Sequence, residues 1–202
     1  MSKFSLLLGT KNSGKVKEAK KILSGIGNEV ELLSFHDKDF PDVEETGNTY
    51  LENSLQKALT ISKHTGLPVI SDDSGLEVVA LGGEPGIHSA RFAGPQANDE
   101  ENLKLLLDKL EGAKDRRARF VTVSVLFISP DERYVSRGVL TGKIINESRG
   151  SSGFGYDPVF VPEGYEKTLA ELGGKEKNKI SHRSKALRKM MSNLRGVIRK
   201  LS

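Results

Sequence analysis

The chain has no cysteine and no tryptophan, and only 6% of its 202 residues are aromatic. Without cysteine, disulfides, thiolate zinc centres and a thiol nucleophile are all excluded. A metal site must then use oxygen or imidazole donors, which favours a hard cation such as Mg²⁺. Few aromatics argue against an extended base-stacking surface for single-stranded nucleic acid. No apolar run approaches a membrane span, and the start of the chain, Met1-Ser2-Lys3-Phe4 onward, is too short in its apolar part for a signal segment. These absences point to a cytoplasmic protein with no membrane and no nucleic-acid partner.

The composition is otherwise that of a folded domain, with 36% hydrophobic and 29% charged residues. At this length one domain over residues 1–202 is expected. The net charge of +4 suits an anionic ligand, and no dense Lys/Arg tract marks a groove-tracking face.

The hydrophobic pattern opens as strand, loop, helix, strand: Phe4–Leu8, Gly9–Gly14, Lys15–Leu23 and Val30–Leu33. That order begins an α/β fold. An acidic loop over Ser34–Gly47 follows. A helix from about Thr49 to His64 has a Thr49/Glu52 capping box and an apolar face of Leu51, Leu55, Ala58 and Leu59. Val69–Ile70 reads as a short strand ending in a turn at Ser71–Gly75, with a separate apolar segment at Leu76–Leu81. Asn98 and Glu101 cap a helix through Leu110. Arg119–Ile128 and Tyr134–Leu140 read as a hairpin about a Pro130–Arg133 turn. Val159–Val161 is a short strand between prolines. A last helix, from about Ser181 to Leu201, carries an apolar stripe including Ala186, Leu187, Met190, Leu194, Val197, Ile198 and Leu201.

Five segments carry chemistry. Gly9-Thr10-Lys11-Asn12-Ser13-Gly14-Lys15 lies between a strand and a helix, where loop amides and the helix N-terminus attract an anion. It matches most of a P-loop, but Val16 stands where that motif needs a metal-holding hydroxyl. Ser71-Asp72-Asp73-Ser74-Gly75 sets two carboxylates side by side, a repulsive arrangement that a divalent cation would relieve. Glu44-Glu45-Thr46-Gly47 supplies a second acidic cluster before a helix. In Gly153-Phe154-Gly155-Tyr156-Asp157, glycines flank Phe154 and leave its ring face open to a flat ligand. Lys175–Arg183 puts cations at the start of the last helix, against its dipole, so an anion is needed there. An ordinary turn, a dipole-matching acid or a solvated basic face accounts for each segment singly. Together they describe a nucleotide site.

In these segments, with Glu52-Asn53, Gly83–Arg91 and Ser181-His182-Arg183, the chain resembles the inosine triphosphate pyrophosphatase family, in family order over nearly its whole length. The resemblance implies an elongated mixed β-sheet with flanking helices in two lobes and a central cleft, and a homodimer. It implies hydrolysis of non-canonical purine nucleoside triphosphates (ITP, dITP, XTP) to monophosphate and pyrophosphate with Mg²⁺, which keeps them out of DNA and RNA. By position, Asp73 resembles the general base and a metal ligand, and Glu45 the other metal ligand. Thr10, Lys11, Asn12, Ser13, Gly14, Lys15 and Ser74 resemble the triphosphate contacts. Phe154, Gly155, Tyr156, Asp157, Lys177, His182 and Arg183 resemble the base and phosphate readers. Arg183 has donors only, so an oxygen at purine position 6 suits it and an amino group does not. Rival readings are a P-loop kinase or NTPase, a non-catalytic binding module, and a Maf-like pyrophosphatase.

Overall fold

A computed structural model describes residues 3–201, excepting the side chain of Leu201, so that part of the expected apolar stripe lies outside the described residues. Among the described residues six strands and five α-helices follow the order β1 (Phe4–Leu8), α1 (Ser13–Leu23), β2 (Val30–Leu33), α2 (Tyr50–Thr65), β3 (Val69–Val78), α3 (Asp99–Lys109), β4 (Arg117–Ser129), β5 (Glu132–Ile144), β6 (Phe160–Pro162), α4 (Leu169–Ile180) and α5 (His182–Leu201). The strands form one mixed sheet in the order β2-β1-β3-β4-β5-β6. β1 pairs in parallel with β2 and with β3, whereas β5 and β6 are antiparallel. The mixed α/β class expected from the sequence is what is found. Among the described residues no helix is long and apolar enough to cross a membrane.

The chain divides into two compact units. The first holds the chain up to Asp73, Thr122–Gly138 and the chain from Arg183 on; the second holds Ser74–Val121 and Val139–His182. In the first unit the sheet is buried on both faces. Alternate residues of a strand face opposite ways, so each strand feeds two cores. Leu6, Leu8, Ile70 and Leu126 join Val16, Ile22, Leu187, Met190 and Leu194 of α1 and α5. Leu7, Val69, Val125 and Phe127 join Ala58 and Ile61 of α2. Burial on both faces is why these strands read as continuous apolar runs rather than alternating ones.

The second unit has its own core of Leu76, Val78, Leu106, Leu110, Phe120, Leu140, Val159, Phe160 and Leu169. Phe120 lies flat against His182, with ring centroids 4.6 Å apart, and tilted against Phe160 at 4.7 Å. The Arg116 guanidinium donates to the carbonyls of Leu110, Ile144 and Ile145, tying the end of α3 to the end of β5.

Three expected elements differ. Val69–Val78 is one ten-residue strand, so Asp72 and Asp73 lie within a strand and not in a turn. The turn chemistry of Ser71–Gly75 misleads because Gly75 is there for close approach: a Cβ on it would sit 1.9 Å from the Gly86 carbonyl oxygen. The inward face of α2 is Asn53, Ser54, Lys57, Ala58 and Ile61, while Leu51 and Leu59 are each 42% exposed. Of the expected apolar face, Ala58 is buried and Leu55 packs against the core, but Leu51 and Leu59 point outward, and polar Asn53, Ser54 and Lys57 share the inward face. Lys175–Ile180 belongs to α4, which is capped by Thr168 and ends at Ser181, whose extended backbone separates it from α5. The cluster from Lys175 on therefore spans two helices instead of opening one.

Candidate active site

In the first unit the segment after β1 runs beside β3. The Gly9 amide donates to the Ile70 carbonyl, two residues before Asp72. Asn12 then caps α1, its side-chain oxygen accepting from the Lys15 amide at 2.9 Å, and Thr10 Oγ1 accepts from the Asn12 amide. The Asn12 side-chain oxygen is thus committed to the helix. What the loop presents to an anion is the N-terminus of α1 and the Lys15 ammonium.

The strand pleat sends Asp72 and Asp73 to opposite faces of the sheet. Asp72 faces α1 and α5, where Lys15 Nζ lies 3.1 Å and Arg183 Nε 3.4 Å from its Oδ2. Arg183 also bonds Glu18 of α1 through Nη1. Lys15, Asp72, Arg183 and Glu18 thus alternate in sign. This is the anion compensation expected for Arg183 in the first turn of α5, and it comes from two carboxylates. Burial opposes ionisation of Asp72, but Lys15 and Arg183 overcome it and hold the carboxyl far below the usual carboxylate range. Burial pushes the Lys15 ammonium down, against the pull of Asp72. Arg183 is raised in spite of burial by Asp72 and Glu18.

Asp73 faces α2. Asn53 Nδ2 donates to its Oδ2 at 3.0 Å, and Lys57 Nζ lies 3.9 Å from its Oδ1. Asn53 Oδ1 accepts from the Gly47 amide at 2.8 Å, which ties the Glu45–Gly47 segment to the same place. Lys57 pairs closely with Glu45 Oε1. Burial, reinforced by Glu45, raises the Asp73 carboxyl above its ordinary range, with Lys57 opposing. The adjacent acids therefore do not neutralise one another through a shared cation. Each has its own cationic partner on its own face, and the pairing that converges is Asp73 with Glu45.

In the second unit the Gly153–Asp157 loop is tied down at several points. Asp157 Oδ2 accepts from the Phe154 amide at 3.0 Å and from Lys177 Nζ at 2.5 Å. Gly153 has φ +89°, and a Cβ there would lie 2.1 Å from that same oxygen. The Gly155 amide donates to Asp99 at 2.7 Å, and the Tyr156 hydroxyl donates to the Ser89 carbonyl at 2.8 Å. One face of the Phe154 ring, expected to be open, carries the Lys177 ammonium 4.5 Å from its centroid. His182 is buried against Phe120.

Thus, of the sequence-based set in the first unit, Glu45 and Asp73 meet on one face of β3 and Lys15 and Arg183 meet around Asp72 on the other; Thr10–Gly14 belong to the same unit. Phe154, Gly155, Tyr156, Asp157 and Lys177 meet in the second, which also holds Ser74 and His182. Sequence reading missed Lys57 and Glu18. The signal for Lys57 was its place four residues after Asn53, on one face of α2. Glu18 carried a similar signal, one turn beyond Lys15 on α1.

The donor set around Glu45 and Asp73 is all oxygen, and both carboxylates reach one ammonium, Lys57. Among the described residues no group of three or more His, Cys, Asp or Glu gathers as a metal cage. Two carboxylates that leave the other positions to water and phosphate oxygens suit Mg²⁺.

The Ham1 family model matches residues 6–193. The dITP/XTP pyrophosphatase of Bacillus licheniformis is 49% identical over 94% of this chain and 97% of its own length. That of Elusimicrobium minutum is 48% identical over 94% and 99%. Among solved structures, the Ham1 protein of Staphylococcus aureus superposes with a TM-score of 0.83 at 40% identity, covering 96% of this chain and 99% of that one. That of Coxiella burnetii gives 0.85 at 39%, covering 95% and 98%. On the family match, the near full-length identity and the shared fold, the chain belongs to the Ham1 family.

Proposed function

We propose that this protein hydrolyses non-canonical purine nucleoside triphosphates (dITP, XTP and ITP) to the monophosphate and pyrophosphate. Its relatives named dITP/XTP pyrophosphatase support the reaction class. The observation that carries the reading is the convergence of Asp73 and Glu45 beside the loop that leads into Lys15.

Glu45 and Asp73 would hold Mg²⁺, which when bound supplies charge neutralisation for the triphosphate. Asp73 accepts the proton of the water that attacks the α-phosphorus; burial and the nearby Glu45 raise its affinity for a proton above that of an ordinary carboxylate. Asn53 fixes Asp73 Oδ2, which aims the carboxylate. Lys15 and the α1 N-terminus stabilise the charge that grows on the pyrophosphate leaving group. Thr10, Lys11, Asn12, Ser13, Gly14 and Ser74 are further proposed phosphate contacts. Phe154, Gly155, Tyr156, Asp157, Lys177, His182 and Arg183 are proposed contacts to the purine and its phosphates. The two units act in this proposal as one catalytic domain. The family resemblance supports a cytoplasmic homodimer.

The test is incubation with dITP, XTP, GTP and ATP, with and without Mg²⁺, and chromatographic resolution of the products. Metal-dependent monophosphate and pyrophosphate from dITP or XTP are expected. Diphosphate and orthophosphate would move the reading to γ-phosphate cleavage, and no turnover would leave a binding module.

A further inference from the structure

Lys57 lies where a metal would be needed. It projects from the middle of α2, and its side chain is 11% exposed. Its ammonium approaches one oxygen of each proposed metal ligand, Glu45 Oε1 and Asp73 Oδ1. Two carboxylates drawn this close in partly buried surroundings need positive charge, and here the protein supplies it from its own chain. Asn53 donates to the other Asp73 oxygen, Oδ2, so Lys57 meets the carboxylate on its Oδ1 side.

We propose that the Lys57 ammonium and a divalent cation compete for these same carboxylate oxygens of Glu45 and Asp73. Lys57 thereby holds the metal site closed in the free protein. This rests on the reading of Glu45 and Asp73 as metal ligands given above. A metal entering alone must displace an ion-paired ammonium and leave it buried beside a second positive charge. A triphosphate arriving with the metal offers the displaced ammonium anionic oxygens. Metal and nucleotide then bind with positive coupling, and by linkage each tightens the other by the same factor. The device keeps the buried carboxylates neutralised between turnovers and makes loading with metal conditional on substrate.

The test is Mn²⁺ binding to the full-length protein without nucleotide, followed by the loss of the free-ion electron paramagnetic resonance signal. Lys57→Met should bind Mn²⁺ at least tenfold more tightly than the wild type, and adding Glu45→Gln to it should remove the gain. Lys57→Gln, which keeps a polar side chain of similar reach, serves the same comparison should the methionine variant not fold. Equal or weaker binding by the variant, or no Mn²⁺ binding at all, overturns the proposal. Turnover of dITP by the wild type with Mg²⁺ tests the assigned reaction separately. A protein that gains Mn²⁺ on loss of Lys57 but hydrolyses nothing would retain the competition and lose the reaction.

Discussion

Lys177 and Asp157 form a buried ion pair in the second unit, 2.5 Å apart with side chains 4% and 3% exposed. Lys177→Met keeps the aliphatic bulk and removes the charge. The Asp157 carboxylate then stays in a water-poor place. It keeps the Phe154 amide as a donor but loses the full positive charge beside it. Breaking a buried pair from one side costs about 3–5 kcal/mol. The surviving amide bond argues for the lower end, about 3 kcal/mol. In a chain of this size each kcal/mol lowers Tm by about 2–4 °C, so a fall of roughly 6–12 °C is expected. The assay is urea unfolding followed by circular dichroism, since the protein has no tryptophan to report by fluorescence. Adding Asp157→Asn to Lys177→Met should recover most of the loss, because a neutral amide needs no counter-charge. A single variant within about 1 kcal/mol of the wild type would refute the premise that this pair carries a desolvated charge. So would a double variant no better than the single one.

Asp73→Asn should abolish turnover, keep nucleotide binding by calorimetry, and raise Tm of the metal-free protein. Burial and Glu45 raise the folded pKa of Asp73, so its ionisation penalises folding above its unfolded pKa. The Tm gain should therefore be present at pH 8 and absent below about pH 4, where the group is protonated folded or unfolded. Arg183→Lys should not substitute for arginine, since one ammonium cannot reproduce separate Nε and Nη1 contacts to Asp72 and Glu18. A loss of about 1–3 kcal/mol is expected in the same urea titration. Gly75→Ala should lower stability by more than about 2 kcal/mol in thermal melts, because its Cβ would meet backbone at 1.9 Å.

Much of this was legible in the chain. The opening β-α-β, the Asn98/Glu101 capping box and the β4–β5 pair follow from local rules that tertiary contacts do not override. The α2 helix was legible as a helix but not in its facing. Leu51 and Leu59 are exposed, while Asn53 and Lys57 are buried beside Ala58 and Ile61, because the inner side of the helix serves the acids as well as the core. The Asp72-Asp73 pair was legible as a site, but for a reason the strand removes. Adjacent residues share a turn only if there is a turn, and whether Ser71–Gly75 bends depends on Gly86, eleven residues beyond Gly75. Glu18 and Arg183, in α1 and α5, share nothing in sequence that announces their bond. Long-range ion pairs of this kind are written in the fold rather than in any window of the chain.

The pleat of β3 gives the site a tolerance and a fragility. Because Asp72 and Asp73 face opposite sides of the sheet, the direct ion pairs of one do not depend on the other, although Lys15 and Lys57 each act on both acids through the strand. The same geometry makes residue parity critical. Deleting or inserting one residue between Ile70 and Asp72 would not nudge the acids by a few ångströms; it would turn each toward the other's neighbours. The carboxylate meant for Lys15 and Arg183 would then face Lys57 and Asn53. A loop of this chain can change length without reversing any side chain, but this strand can accept change only by substitution.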